Sequence, residues 1–365
     1  MNKYKVCVYA ISKNEEKFVD RWMDAVSEAD LVVVADTGST DNTVEKLRAR
    51  GALVYEEKIV PWRFDEARNR ALSHVPEDVD ICVSNDLDEV FEPGWRKKLE
   101  EAWTEDATRA RYLFTYSFHD NGLPKKQFPM EKIHCRHGFR WVHPVHEVLK
   151  YDGSKPDKTV WVKGLVLNHY PDLTKPRSQY LPLLELSASE NPNDDRGMFW
   201  LGREYMYYRQ WDNSIKTLKH YLTMPLATWK EERCAAMRYI ARCYEEKGDL
   251  EQARSWYFKA VAECSYVREP YLDIAMFGYR IKDWPLVMAM SLEALKINTN
   301  TGSYLVEPQA WGYTFHDLLA ISMYYIGMKE QAYKHAKIAY DMAPHDERLK
   351  NNLLLIQKEV GADHE

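Results

Sequence analysis

The sequence predicts two domains of different class: an α/β domain on a mostly parallel sheet over residues 1–172, then an all-α domain of repeated helix pairs over 173–365. Three observations carry this. Short β-branched runs alternate with helical patterns up to about Asp172. Strand signals cease from about Lys175 onward, and small and aromatic residues then recur with a period of 34 residues.

The first run, residues 5–11, reads as a strand and passes into a helix over 18–27. A strand over 31–35, a helix over 43–50 and a short strand at 54–55 continue the alternation. A fourth strand over 80–84 meets the acidic run Asn85-Asp86-Leu87-Asp88-Glu89, and a helix over 93–102 follows. Later strands over 110–118, 138–142 and 160–168 are expected to extend the sheet and floor a site at its edge. In the second half, Ala241, Tyr244, Ala253 and Ala260 return as Ala275, Gly278, Val287 and Ala294, each 34 residues on. That is the tetratricopeptide length, and weaker copies at either side give about four degenerate repeats. Stacked pairs of this kind share one core and offer a concave face, so Trp200, Trp211, Trp229, Trp256 and Trp284 read as packing residues.

Composition sets limits on function. A net charge of −6 without any long basic run argues against nucleic acid as a partner. The six cysteines show no CxxC spacing and read as reduced core residues. No apolar run reaches the 18 residues of a membrane span, and the amino terminus lacks a signal-like apolar stretch, so a soluble, cytoplasmic protein is expected.

Chemistry concentrates where strands end. Asp86 and Asp88 follow the fourth strand at the carboxyl edge of the sheet, where open α/β folds bind ligands. Two hard carboxylates there suit a divalent cation on a leaving diphosphate, although an acidic turn capping the next helix has the same appearance. Asp36-Thr37-Gly38-Ser39-Thr40-Asp41 likewise leaves a strand, so Asp36 can accept hydrogen bonds from a ribose or base, or simply cap the turn. His169 ends another apolar run and reads either as a metal ligand beside Asp88 or as a hydrogen-bonded core histidine. Glu147 is a candidate general base, with orientation of His146 or pairing with Arg140 as the plainer readings. No GxGxxG or GxxxxGK[ST] follows any strand, which removes the dinucleotide and P-loop fingerprints.

The order SKNEE, VVVADTGSTDNT, RFDEARNRAL and NDLDE resembles the bacterial family-2 glycosyltransferases of GT-A fold over roughly residues 1–170. Among them it looks most like members fused to tetratricopeptide repeats, including peptide S-glycosyltransferases of bacteriocin pathways, and less like lipopolysaccharide-core glucosyltransferases. The resemblance implies that Asp36 with Asn14 or Glu16 contacts the nucleoside, that Arg68 lines the nucleotide pocket, and that Asp86 and Asp88 take the ribose and the diphosphate-bound Mn or Mg ion. By the same resemblance Val145-His146-Glu147 and Asn168-His169-Tyr170 match the family's downstream histidine–glutamate pair and its histidine on a later strand, the positions at which Glu147 is the candidate base and His169 the candidate metal ligand.

The expected activity is inverting transfer of a hexose from a UDP-sugar to a peptide or protein hydroxyl or thiol, with the repeats recruiting the acceptor or pairing two copies as a homodimer. A glycan, lipid-linked or modified-nucleobase acceptor is the alternative within the class. A scaffold that keeps a vestigial sugar-nucleotide domain is the alternative outside it.

Overall fold

The structure, a computed structural model, describes residues 3–172, 174 and 180–362. It divides into two compact units, 1–189 and 190–365. The boundary expected between 172 and 173 abuts residues outside those described, as does Lys175, and the helix that opens the all-α part is counted with the first unit.

The first unit runs β1 (Val6–Ser12), α1 (Glu16–Ala25), β2 (Leu31–Asp36), α2 (Thr43–Ala49), β3 (Leu53–Glu56), α3 (Phe64–Ser73) and β4 (Ile81–Ser84). It continues with β5 (Glu89–Phe91), α4 (Trp95–Ala102), β6 (Arg109–Phe118), β7 (Pro124–Cys135), β8 (Phe139–Val142), β9 (Val148–Tyr151), β10 (Thr159–His169) and α5 (Tyr180–Glu190). Eight strands form one sheet in the order β3-β2-β1-β4-β7-β6-β10-β5. The first four are parallel, whereas β7 runs antiparallel to both β4 and β6.

Both faces of this sheet are covered, as the unbroken apolar run of β1 demands. Val6, Val8 and Ala10 enter a core with Trp22 and Trp95, while Cys7 and Tyr9 enter a second core with Val75 and Trp141. The strand expected at 138–142 is present as β8, but it pairs with β9 in a separate hairpin and does not extend the main sheet. Its place beside β4 is taken by β7, whose lysines and two prolines hide any clean alternation in the sequence.

The second unit stacks α6 (Asp195–Tyr207), α7 (Trp211–Tyr221), α8 (Lys230–Glu246), α9 (Leu250–Glu263), α10 (Glu269–Arg280), α11 (Trp284–Leu295), α12 (Thr314–Tyr325), α13 (Lys329–Met342) and α14 (Glu347–Ala362). The pairs α6/α7, α8/α9, α10/α11 and α12/α13 are the repeats, with α14 packed after the last. Small residues set the helix approach: a methyl group added at Gly202 of α6 would come within 2.5 Å of Leu218 in α7. All six cysteines are free thiols, and five are buried.

Candidate functional site

Strand order brings the ends of β2, β1 and β4 together at the carboxyl edge of the parallel half-sheet. Asp36 ends β2 and is 2% exposed. Its Oδ1 accepts from the hydroxyls of Ser12 (2.8 Å) and Ser39 (2.5 Å), and its Oδ2 accepts from the amides of Gly38 (3.0 Å) and Ser39 (2.8 Å). Four donors fill the usual capacity of a carboxylate, so Asp36 is turned onto its own loop. Gly38, with φ of 103°, makes that turn possible.

Asn14 and Glu16 brace the same loop. Asn14 sits in the left-handed region at φ 54° and takes the Thr40 amide on Oδ1 at 2.7 Å. Glu16 accepts from Asn42 at 3.1 Å and pairs with Lys46 at 3.2 Å. Beside the loop lies a cleft of about 520 Å³, lined by Asp36, Gly38, Ser39 and Asp41 on one wall and by Glu56–Ile59 on the other.

Beyond β4 the charges are packed more tightly. Arg68, on α3, holds Asp86 bidentately at 2.7 and 2.9 Å and donates from Nε to Glu147 at 2.5 Å. Its guanidinium also lies 5.0 Å from the centre of the Trp141 ring. The next residue, Asn69, exchanges two hydrogen bonds with the backbone of Trp141, so the adjacent Arg-Asn pair locks α3 to β8. Lys132, from the unforeseen β7, approaches Asp86 at 3.3 Å and Glu89 at 3.1 Å. Burial resists charge on Asp86, but Arg68 and Lys132 outweigh it and hold the carboxyl well below the usual range. Glu89 responds the other way, because burial and the nearby Asp86 and Asp88 charges push its pKa up despite Lys132.

Glu147 reaches this cluster from the β8–β9 loop, in which His143 and His146 both adopt positive φ (77° and 53°). Non-glycine residues held there cost on the order of 1–3 kcal/mol each, and such strain concentrates at functional sites. Arg140 pairs with Asp152 and leaves Glu147 to Arg68. The buried layer beneath is neutral: Tyr9 bridges Trp141 and His134, and burial pushes the His134 imidazole down to about 4.

Asp88 and His169 form the remaining pair. His169 Nε2 lies 3.3 Å from Asp88 Oδ2, and the Tyr170 amide donates to the Asp88 carbonyl at 2.8 Å. The β10–β5 register sets His169 opposite Glu89. Burial disfavours the imidazolium, yet the hydrogen bond and charge of Asp88 outweigh it and raise the histidine above its ordinary value. Among the described residues no group of three or more His, Cys, Asp or Glu could hold a cation. Mg and Mn are commonly held by one or two protein ligands with phosphate oxygens and waters, so this donor pair fits a cation that arrives with a diphosphate.

Asp86, Arg68 and Glu147 thus converge in one cluster, joined to Asp88 and His169 through Glu89. Asn14, Glu16 and Asp36 instead organise the neighbouring loop. Lys132, Glu89 and Trp22, which donates to Asn85 at 2.6 Å, were not singled out from the sequence. Only the position of Glu89 inside the acidic run marked any of them.

Residues 7–146 match the family described as Glycosyl transferase family 2. No curated protein matches the chain. Among solved structures it is similar to MamA, at 13% identity over 49% of this chain and 99% of that one, with a TM-score of 0.38. It is also similar to the C-terminal part of a TPR repeat-containing protein from Cytophaga hutchinsonii (14% identity, 51% and 67% covered, TM-score 0.41). A thermophilic TPR protein of Thermus thermophilus is similar at 19% identity (48% and 88% covered, TM-score 0.33). The family match runs from β1 into the β8–β9 loop and takes in Asp36, Arg68, Asp86 and Asp88.

Proposed function

We propose that the first unit is the catalytic domain of a metal-dependent, inverting glycosyltransferase that moves a hexose from a UDP-sugar to a peptide or protein hydroxyl or thiol. The observation that carries the reading is an asymmetry at one sheet edge. Asp86 and Glu147 are matched by Arg68 and Lys132, whereas among the described residues Asp88 has only His169 beside it as an ionic partner. That leaves a carboxylate–imidazole pair suited to a cation that shares its other positions with a diphosphate.

In this reading the nucleoside lies along the loop that Asp36, Asn14 and Glu16 hold in shape, with Asp86 toward the ribose. Arg68 acts on the substrate indirectly, by fixing Asp86 and Glu147. Asp88 and His169 would hold a divalent Mn or Mg ion, which when bound would supply neutralisation of the charge on the departing diphosphate. Glu147 takes the proton from the acceptor hydroxyl or thiol as the new bond to the anomeric carbon forms and the bond to the diphosphate breaks on the opposite face. Its Oε1 is engaged by Arg68 Nε, so the proton goes to Oε2.

Calorimetric titration with UDP and competing nucleotides, with and without Mn, followed by hydrolysis of a panel of UDP-sugars, tests the reading. Metal-dependent UDP binding with turnover of one donor is expected. Absence of any nucleotide binding would sink it in favour of a scaffold that works through its repeats.

A further inference from the structure

The connection between α11 and α12 is longer than those within the pairs, and it does not stay between its own helices. Over residues 297–311 it crosses to the first helices of the three preceding pairs. Tyr304 stacks on Trp200 of α6, with ring centroids 5.5 Å apart, and also meets Trp229 at 5.6 Å. Its hydroxyl donates to Glu232 of α8 at 2.7 Å, the same carboxylate that takes the Tyr221 hydroxyl at 3.0 Å. Leu305 packs against the cluster around Phe199 and Tyr239. Three residues after Tyr304, Glu307 pairs with Arg238 at 2.5 Å and with Arg242 at 3.5 Å, while its amide donates to Glu269 of α10 at 3.1 Å.

This strap has the chemistry of a turn-bearing ligand held by side chains on a helical face: the Val306 amide donates to the Ser303 carbonyl at 3.1 Å, so Tyr304 and Leu305 occupy a turn, and a 3-10 turn follows over Pro308–Trp311. Glu232 and Arg238 lie six residues apart on α8, a rise of about 9 Å, and the strap meets the first with Tyr304 and the second with Glu307. The charges ask for an acid at the second position. Asp273 and Glu307 both face Arg238 and Arg242, and Arg238 is 2% exposed, so removing Glu307 would leave two arginines on one carboxylate and a buried positive charge unmatched. At the first position Arg203 lies 3.9 Å from the Trp200 ring centroid and makes no ion pair among the described residues, which adds attraction for an acidic segment.

We propose that residues 297–311 are an intramolecular ligand covering a peptide-binding face. A peptide that makes the same turn, with a tyrosine followed at the third position by an acidic residue, would take that face by displacing the strap. The inference does not depend on the transferase reading, since binding is measured without transfer. Tethering gives the strap an effective concentration of order mM, so free peptide competes poorly against the intact chain.

The test uses a fluorescein-labelled peptide of residues 301–309 and anisotropy titrations with the full chain. Tyr304→Ala/Glu307→Gln, which weakens the strap, is expected to bind it at least tenfold more tightly than the wild type. A peptide carrying the same two substitutions is expected not to bind. A folded double variant that binds no better than wild type overturns the proposal. Should that variant not fold, hydrogen exchange on the wild type decides: saturating peptide is expected to speed exchange of the strap amides while α8 and α10 stay protected, and an unchanged strap overturns the proposal.

Discussion

Each unit buries a network of arginines and carboxylates, and the two networks differ in how they end. In the helical unit Arg238, Arg242, Asp273 and Glu307 close on one another, and Arg238 is as sealed as any apolar core residue. At the sheet edge of the first unit, Arg68 and Lys132 hold Asp86, Glu89 and Glu147, whereas among the described residues Asp88 has no arginine or lysine partner and meets only the His169 imidazole. A closed network fixes conformation. An open one leaves donors that a ligand can complete, and for that reason the chemistry is assigned to the open one.

The largest effect should come from testing that openness chemically. Glu147→Gln keeps an oxygen for Arg68 but loses the proton acceptor, so donor binding by calorimetry should be unchanged while transfer falls by about 10²–10⁴-fold. Wild-type transfer would move the base elsewhere. Breaking the closed network should instead cost stability: Arg238→Met leaves Asp273 and Glu307 short of a cation and should lower unfolding free energy by about 3–5 kcal/mol in urea melts. UDP affinity should not change. Asp88→Asn, which preserves volume, should lower metal-dependent turnover by about a hundredfold with an unaltered melting temperature. Activity that stays metal-dependent at the wild-type level would separate Asp88 from the cation.

The smallest effect is a dependence on acid. Arg238 and Arg242 outweigh burial and hold Asp273 below its ordinary pKa, so its contribution is complete above the unfolded value near 3.9 and is lost as pH falls below it. Stability of the helical unit should drop as pH falls below about 3.9, by up to about 1.4 kcal/mol per pH unit for each proton taken up. In Asp273→Asn that slope should be shallower, and an identical slope would assign the acid sensitivity to other groups.

The elements that run locally were legible in the sequence. The strand–helix alternation through β4 follows from apolar period alone, and the 34-residue recurrence found the helix pairs without any tertiary information. What escaped depends on pairing at a distance. β7 carries Lys132 into the site, yet two prolines and three lysines within it give no period-two signal. The strand at β8 was visible, but a strand's partner is not encoded in its own pattern, and so its separation from the main sheet was not. The structure puts Asp36 and His169 at the ends of β2 and β10, and Asp86 and Asp88 just after β4, as the apolar runs indicated. Strand-end position could not tell a carboxylate saturated by its own loop, as Asp36 is, from one left open, because that distinction rests on the direction of four hydrogen bonds.

The strap also alters how the repeats should come apart. In an array where each pair touches only its neighbours, unfolding can begin at either end and proceed pair by pair, and the ends fray independently. By tying α6, α8 and α10 to a segment that leaves α11, residues 297–311 make the loss of any one pair a loss for the others. The helical unit should therefore melt in a single sharp transition, with the first and last pairs disappearing together.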